Sequence, residues 1–131
     1  MKKNFTCPHC DAVLNPSVKI LLTVAYRNRK GMILLSPQPG NYKVILDKTV
    51  EDKLKPGAKV KFGCPVCAGD LTSPGNDKFA ELHMGSHGQE PVKVEFSRVF
   101  GKHATFVIDG EEVTTYGEDV EDFGSTNFFG Y

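Results

Sequence analysis

The sequence predicts a mainly β protein, and three observations support this fold class. Several segments alternate apolar and polar residues at period two, as half-buried strands do. No window of eleven residues has the apolar spacing of an amphipathic helix. The 13 glycines and 8 prolines interrupt the 131-residue chain often, and both residue types break helices. This chain length predicts one domain, or one domain with a small satellite.

The first half predicts four strands and one helical turn. The apolar residues from Val18 to Tyr26 alternate with a second set that includes Lys19 and Thr23, which predicts a strand with one well-filled apolar face. Asn28 to Gly31 are typical of a turn. The other elements are predicted at 32–35 (strand), 42–46 (strand), 49–55 (helical turn) and 58–62 (strand).

The second half predicts a C-terminal antiparallel β-meander. Its strands are expected at 79–84, 92–97 and 104–108. Asp109-Gly110 is the strongest hairpin signal in the chain, because a type I′ turn needs positive φ at both central positions. A two-residue loop there places Phe106 opposite Val113, an aromatic–β-branched pair of the kind that stabilises sheets.

The zero net charge conceals a strong asymmetry between the two halves. Residues 1–65 carry 12 basic and 4 acidic side chains, whereas residues 66–131 carry 4 basic and 12 acidic ones. Such a division favours a charged partner or attraction between the halves. The simpler alternative is that both charged faces are solvated.

All four cysteines lie in two matching tetrapeptides, Cys7-Pro8-His9-Cys10 and Cys64-Pro65-Val66-Cys67. A C-x-x-C turn brings two sulfur atoms close enough to occupy two corners of a tetrahedron, and the proline stiffens the turn. Two such turns complete the four-thiolate shell that structural zinc prefers. The sequence therefore predicts a closed Zn²⁺ site built from both pairs.

These two Cys-Pro-x-Cys turns resemble the knuckles of the zinc-ribbon family, over residues 5–13 and 60–70. The resemblance implies two β-hairpin knuckles and the metal ligands Cys7, Cys10, Cys64 and Cys67. Many family knuckles have glycine after the second cysteine, where this chain has Asp11 and Ala68. The spacer of 53 residues exceeds the roughly 15–20 of a compact site, so it is predicted to be a long inserted β unit.

The predicted organisation has three parts. Residues 1–70 form a zinc-ribbon-like domain with inserted strands, residues 71–117 form a β-meander packed on it, and residues 118–131 form an acidic aromatic tail. The tail has four acidic and no basic residues. Its aromatic residues either cover the sheet or bind a partner groove; they are Phe123, Phe128, Phe129 and Tyr131.

Two alternatives to zinc remain open for the cysteines. Disulfides require an oxidising compartment, and the basic start of the chain has no apolar segment of an export signal. Cys-Pro-His-Cys is also similar to the active-site tetrapeptide of periplasmic thioredoxin-fold oxidants, in which a helix follows the first cysteine. Here the following residues, 11–16, make a poor helix that is broken at Pro16.

The histidines give weaker signals. His9 lies inside the first tetrapeptide, either as an alternative ligand or as a surface residue. His83 and His87 have i, i+4 spacing, and a second metal site there would need a third protein ligand. His103 is expected to be an exposed cross-strand residue. No catalytic motif stands out, and four thiolates leave no open position on a zinc ion, so no enzyme activity is predicted.

Three functions follow from these residues. The first is a protein-interaction or adaptor role supported by structural zinc; the others are nucleic-acid binding by the basic half and thiol-disulfide redox activity. Tyr26 and Tyr42 are possible stacking rings for nucleic acid. No apolar run approaches the ~20 residues of a membrane span, so a cytoplasmic protein with no membrane partner is expected. The predicted phosphate-binding residues are Lys19, Arg27, Arg29, Lys30, Lys43, Lys59 and Lys61.

Overall fold

The computed structural model describes residues 4–16, 18–38, 40–85 and 91–123, and it confirms the mainly β fold class. Within these ranges the helical segments are one four-residue α-helix and one four-residue 3₁₀ helix, and neither could cross a membrane. The strands are β1 (Asn4–Thr6), β2 (Ile20–Tyr26), β3 (Arg29–Leu35), β4 (Val44–Leu46), β5 (Lys61–Gly63), β6 (Phe79–Gly85), β7 (Val92–Ser97), β8 (Thr105–Asp109) and β9 (Glu112–Tyr116). Helix α1 is Lys48–Glu51, and the 3₁₀ helix is Val120–Phe123.

The strands form two antiparallel sheets. The five-stranded sheet has the order β1-β6-β7-β8-β9, and the four-stranded sheet has the order β4-β3-β2-β5. The chain between the two cysteine pairs therefore folds as the four-stranded sheet. Strand β1 precedes the first pair in sequence but belongs to the other sheet, where Phe5 lies opposite Met84.

Two turns differ from the sequence prediction. The β2–β3 hairpin closes at Arg27-Asn28, because Arg29 already pairs with Tyr26, so the strand starts inside the predicted turn. In the β8–β9 hairpin the predicted register is wrong: Ile108 lies opposite Val113, and Phe106 lies opposite Thr115.

The β8–β9 loop consists of Gly110 and Glu111, with Asp109 retained in the strand. Only Gly110 has a positive φ in this loop, at 61°. Glycine at the first central position suits a type II′ turn, which needs one left-handed residue where type I′ needs two. The type II′ turn avoids a positive φ at a non-glycine residue, and it places the loop one residue later than the sequence predicts.

The main core lies between the sheets. Leu22 and Val24 of β2 pack in one buried cluster with Leu82 of β6 and Val94 of β7. A second cluster, which contains Phe79 and Phe106, lies on the opposite face of the five-stranded sheet. Val120, at the start of the 3₁₀ helix, packs against this second cluster.

The two halves also meet along one side of the molecule. The backbone N–H of Val60 donates to Arg98 O at 2.9 Å, and the N–H of Phe100 donates to Ala58 O at 2.7 Å. Two exposed ion pairs, Lys59–Asp77 and Lys61–Asp70, connect the basic half to the acidic half. Because both pairs are solvated, each contributes about 0–1 kcal/mol to stability.

Glu95 is a buried carboxyl group in the middle of β7. It is 2% exposed, and its Oε1 atom has no hydrogen-bond partner. Burial raises the pKa of Glu95; a hydrogen bond from Ser73 and the charge of Lys93 act in the opposite direction, and the charge of Glu81 adds to the rise. The ionised form therefore destabilises the folded state at neutral pH.

We expect Glu95→Gln to increase the free energy of unfolding at pH 7 by about 1 kcal/mol, because it removes a buried charge. A carboxyl group whose pKa is raised by folding stabilises the folded state when the pH is below its pKa in the unfolded chain, near 4.5. This stabilisation is lost as the pH rises through the pKa of the group in the folded state. Urea unfolding of both proteins at pH 4 and pH 7 measures the effect. The gain should appear at pH 7 and shrink at pH 4; a less stable variant at pH 7 would contradict this account.

Candidate metal centre

The first cysteine pair lies at the tip of a hairpin that begins with β1. The N–H of Cys7 donates to Ala12 O at 3.1 Å, and the N–H of Asp11 donates back to Cys7 O at 2.9 Å. Leu14 N–H then donates to Phe5 O at 2.7 Å, which returns the chain alongside β1. These bonds hold the tetrapeptide in a tight turn with both sulfur atoms on one side.

The second pair repeats this turn after β5. The N–H of Cys64 donates to Gly69 O at 3.0 Å, the N–H of Ala68 donates to Cys64 O at 2.9 Å, and the N–H of Leu71 donates to Phe62 O at 3.0 Å. Each bond has its counterpart at the corresponding position of the first hairpin. We call the two turns the knuckles.

The knuckles bring all four predicted ligand atoms together. The Sγ atoms of Cys7 and Cys67 are 3.8 Å apart, and those of Cys10 and Cys64 are 3.7 Å apart. All four sulfur atoms lie within 4.8 Å of one another, and all four cysteines are free thiols. A tetrahedral ion with metal–sulfur bonds of about 2.3 Å has sulfur–sulfur edges of about 3.8 Å. The arrangement therefore has the dimensions of a tetrahedral metal site.

Backbone N–H groups point at the sulfur atoms. His9 N–H lies 3.3 Å from Cys7 Sγ, and Val66 N–H lies 3.3 Å from Cys64 Sγ. Burial raises the pKa of Cys7 to about 12. Burial also acts to raise the pKa of Cys64, but hydrogen bonds from the N–H groups of Cys67 and Val66 and from the Cys7 thiol bring it down to about 7. Such donors stabilise thiolates, the form that binds metal.

The site has a buried side and a solvent side. Cys7 and Cys64 are completely buried, whereas Cys10 and Cys67 are exposed. Cys7 follows a strand of the five-stranded sheet, and Cys64 follows a strand of the four-stranded sheet. An ion bound by all four sulfur atoms would cross-link the two sheets.

His9 has a role that sequence reasoning missed. Its Nε2 atom lies 2.8 Å from the backbone oxygen of Asp70, so its ring connects the first knuckle to the second. It is not one of the four side chains that could share an ion. The partner lies far away in sequence and is a backbone atom, which no residue pattern identifies.

The residues that follow the second cysteine of each knuckle adopt a left-handed backbone conformation. Asp11 and Ala68 both have φ of 61°, in the left-handed region. Glycine enters this region without the steric cost that a Cβ atom brings. Each knuckle therefore places a non-glycine residue in a strained conformation.

We expect Ala68→Gly to stabilise the protein by about 0.5–1 kcal/mol, because relief of the left-handed strain exceeds the added entropy of the unfolded chain. Asp11→Gly is the matched comparison, and its gain should be smaller because aspartate tolerates this conformation better. Thermal unfolding of the metal-loaded proteins measures both. A lower midpoint for Ala68→Gly would contradict the strain argument.

The two other described histidines, His83 and His103, each contact an acidic side chain. His83 Nε2 lies 3.3 Å from Glu81 Oε2, and His87 lies outside the described residues, so the i, i+4 hypothesis stays a prediction. The expectation for His103 is only partly right. Its side chain is 42% exposed, but it precedes β8 and does not lie in a strand, and its ring stacks on Tyr42 with ring centroids 4.5 Å apart.

His103 also belongs to the second group of potential metal ligands among the described residues, with Glu118 and Asp119. Glu118 Oε1 lies 3.1 Å from His103 Nδ1, and Asp119 Oδ2 accepts from the His103 backbone N–H at 2.8 Å. These contacts already engage the two carboxylates. The group is a set of hydrogen bonds that fixes the chain after β9.

Nucleic-acid binding needs exposed basic side chains and exposed rings, and the predicted residues meet only the first of these requirements. All seven basic side chains are exposed, but the two rings pack against the protein. Tyr26 packs against the core, with the Arg27 guanidinium 5.3 Å from its ring centroid. The Tyr42 hydroxyl donates to Tyr116 O at 3.0 Å, and its ring lies on His103.

Comparison with known proteins found no matching family model, no matching curated protein and no matching solved structure. The fold and the site therefore have to be interpreted from their own geometry. The feature that carries the most chemical information is the group of four sulfur atoms, which could hold a metal ion.

Proposed function

We propose that the four cysteines bind one structural zinc ion and that this ion supports a protein-interaction or adaptor role, as in a zinc ribbon. The observation that carries the proposal is the set of sulfur–sulfur distances, 3.8 Å between Cys7 and Cys67 and 3.7 Å between Cys10 and Cys64, with all four sulfur atoms within 4.8 Å of one another. Zinc would supply four bonds of fixed tetrahedral geometry. With four thiolates it has no open position for a substrate, so we assign no catalytic step to it.

Zinc is favoured by the chemistry of the donors. Tetrahedral thiolate sites select zinc or iron among the common metals, and zinc needs no redox partner. A reducing compartment such as the cytoplasm keeps thiols available for metal. The backbone N–H groups at the sulfur atoms fit a permanently bound thiolate cluster.

The interaction role is supported by the surface around the knuckles. Val66 lies between the two cysteines of the second knuckle and is 68% exposed, and Val13 on the first hairpin is 45% exposed. A rigid, metal-fixed turn can present such side chains to a partner with little loss of conformational entropy. In this proposal the ion fixes the shape of the contact surface.

Metal analysis of the purified full chain tests the proposal. We expect about one zinc per chain, and its loss in Cys64→Ser. His9→Ala is the control, because it removes a contact between the two knuckles but no sulfur ligand, and it should keep the stoichiometry at saturating zinc. Iron in place of zinc, or full zinc content in Cys64→Ser, would refute it.

Nucleic-acid binding is the second candidate, favoured by the exposed basic residues of the four-stranded sheet. Ala25 pairs with Lys30 on one side and with Lys61 on the other, so two lysines flank it across three adjacent strands. Binding of single-stranded oligonucleotides should fall steeply between low and moderate salt, and Lys30→Glu should weaken it. Absence of binding at low salt would remove this candidate.

The redox alternative has less support. In the described part of the chain, neither knuckle leads into an α-helix, so no helix dipole is placed to activate a cysteine. Alkylation of the metal-loaded protein distinguishes zinc binding from redox activity. Protection of all four cysteines supports zinc, whereas rapid reaction of one cysteine supports redox chemistry.

A further inference from the structure

A cavity of about 380 Å³ lies between the two sheets and reaches the main core. Its inner wall includes Val24, Val60 and Phe62, each at most 6% exposed. Its outer wall includes Val44, which is 47% exposed, and the half-buried Leu54. The cavity therefore opens to solvent beside β4, and apolar side chains form most of its lining from there to the core.

The size and the lining of this cavity favour an apolar occupant. Protein cores are close-packed, with few voids larger than a water molecule. A buried water needs about two to four polar partners, which apolar walls do not supply. An apolar molecule would therefore gain contacts with the walls without displacing firmly bound water.

The hydroxyl groups of the lining already have partners. The Tyr42 hydroxyl donates to Tyr116 O at 3.0 Å and lies 2.9 Å from the Thr105 hydroxyl. Ser97 Oγ accepts the Val99 N–H at 3.0 Å. Recognition of a polar ligand by these hydroxyl groups would require breaking contacts within the protein.

The basic groups of the lining are engaged as well, and no carboxylate of the described residues lines the cavity. The Arg98 guanidinium donates to two backbone oxygen atoms. The Nδ1 atom of His103 lies 3.1 Å from Glu118 Oε1, and Lys102 also has an interaction partner. A charged ligand would lose its hydration in the cavity and would have to displace one of these contacts. The lining therefore favours an uncharged ligand.

We propose that this cavity binds an uncharged, apolar small molecule of about 15 carbon atoms. A core cavity of about 150 Å³ holds one benzene molecule, so each carbon atom needs about 25 Å³. The 380 Å³ volume then corresponds to about 15 carbon atoms. Strands of both sheets form the walls, so the cavity exists before binding and the ligand need not order the protein. This binding site is independent of the proposed zinc ion and of the interaction role.

Two naphthalene dyes that differ in charge test the chemistry of the ligand. N-phenyl-naphthylamine is uncharged, whereas anilinonaphthalene sulfonate (ANS) carries a sulfonate group on the same ring systems. With the full chain as purified, we expect saturable binding of one uncharged dye molecule per chain, and binding of ANS weaker by about tenfold or more. Absence of saturable binding of the uncharged dye, or equal binding of both dyes, would overturn the proposal.

Two neighbouring substitutions on β4 test the location of the site. Val44 lines the cavity, whereas Ile45 lies on the other face of the sheet, because successive side chains alternate along a strand. Val44→Trp should narrow the opening and weaken binding of the uncharged dye about tenfold. Ile45→Trp, the matched control at a similarly exposed position, should leave binding unchanged. Leu54→Trp should repeat the effect of Val44→Trp from another part of the wall; unchanged binding in both cavity variants would refute the assignment.

The methyl groups of the walls report the bound dye directly. In carbon–proton NMR spectra, the uncharged dye should shift the methyl signals of Val24 and Leu46, which line the cavity, and leave those of the exposed Val66 unchanged. Shifts confined to residues outside the cavity would contradict the proposal. A dye stoichiometry that falls as the protein concentration rises would assign the cavity to a second copy of the chain and would overturn it as well.

Discussion

Replacement of Cys10 by serine is expected to remove most of the folding free energy of the metal-loaded protein, although this side chain is exposed. Structural zinc supplies about 10–16 kcal/mol of apparent binding free energy at neutral pH. A domain of this size has a net stability of about 5–15 kcal/mol. Because the proposed ion would join one hairpin from each sheet, its loss should loosen the packing between the sheets as well as the knuckles.

Cys10 tests metal ligation better than a buried cysteine does. A substitution at an exposed position without a special role changes stability by about 0.5 kcal/mol or less, so a larger loss at Cys10 indicates ligation. Urea unfolding of the zinc-loaded and chelator-treated proteins measures the effect in both states. The cost of Cys10→Ser should be large with zinc and small without it. Val13→Ser, an exposed change on the same hairpin, should have a small effect in both states.

One result would contradict this account. If Cys10→Ser unfolds at the same urea concentration as the unsubstituted protein in the presence of zinc, the sulfur atom is not a ligand. Equal behaviour of the unsubstituted protein with and without chelator would lead to the same conclusion. Refolding on return of zinc should restore the original midpoint.

The cluster of four cysteines could be predicted from sequence because its information is local. Each C-x-x-C tetrapeptide fixes two sulfur atoms by its own turn, and proline restricts that turn. Only the meeting of the two turns is long-range, and four matched cysteines imply it. By contrast, the His9–Asp70 contact joins residues with no pattern in common, so sequence reasoning could not find it.

Strand positions were also predictable, whereas their pairing was not. The alternation in β2 and in β7 marks a buried face within a few residues. Strand β1 has only three residues, too few for any periodicity, and it pairs with a strand from the second half of the chain. The predicted β8–β9 register is wrong because Asp109-Gly110 is compatible with a loop at 109–110 or at 110–111, and only the backbone geometry distinguishes the two.

The contact between Tyr42 and His103 illustrates the same limit for functional residues. The sequence predicts Tyr42 as a possible stacking ring for nucleic acid and His103 as an exposed cross-strand residue. In the structure they stack together, and the chain after β9 lies over them. A polar aromatic residue can serve a ligand or another part of the chain, and only the tertiary contact distinguishes these roles.

That contact leads to the second large expected effect, the substitution Gly117→Ala. Gly117 has φ of 107°, and a Cβ atom there would overlap the backbone carbonyl of His103 and approach the Tyr42 hydroxyl to 2.6 Å. The carbonyl oxygen cannot move away freely, because it accepts the Asp119 N–H at 3.0 Å. Strain and displacement together should cost about 3 kcal/mol or more.

Gly57→Ala separates the two causes. Gly57 has a similar φ of 93°, but nothing lies within 4 Å of its Cβ position. It should therefore show only the cost of the backbone conformation, about 1–2 kcal/mol. Urea unfolding of both variants gives the difference, which measures how tightly residues 116–119 are held on Tyr42 and His103. Equal losses would mean that the chain after β9 moves aside without cost.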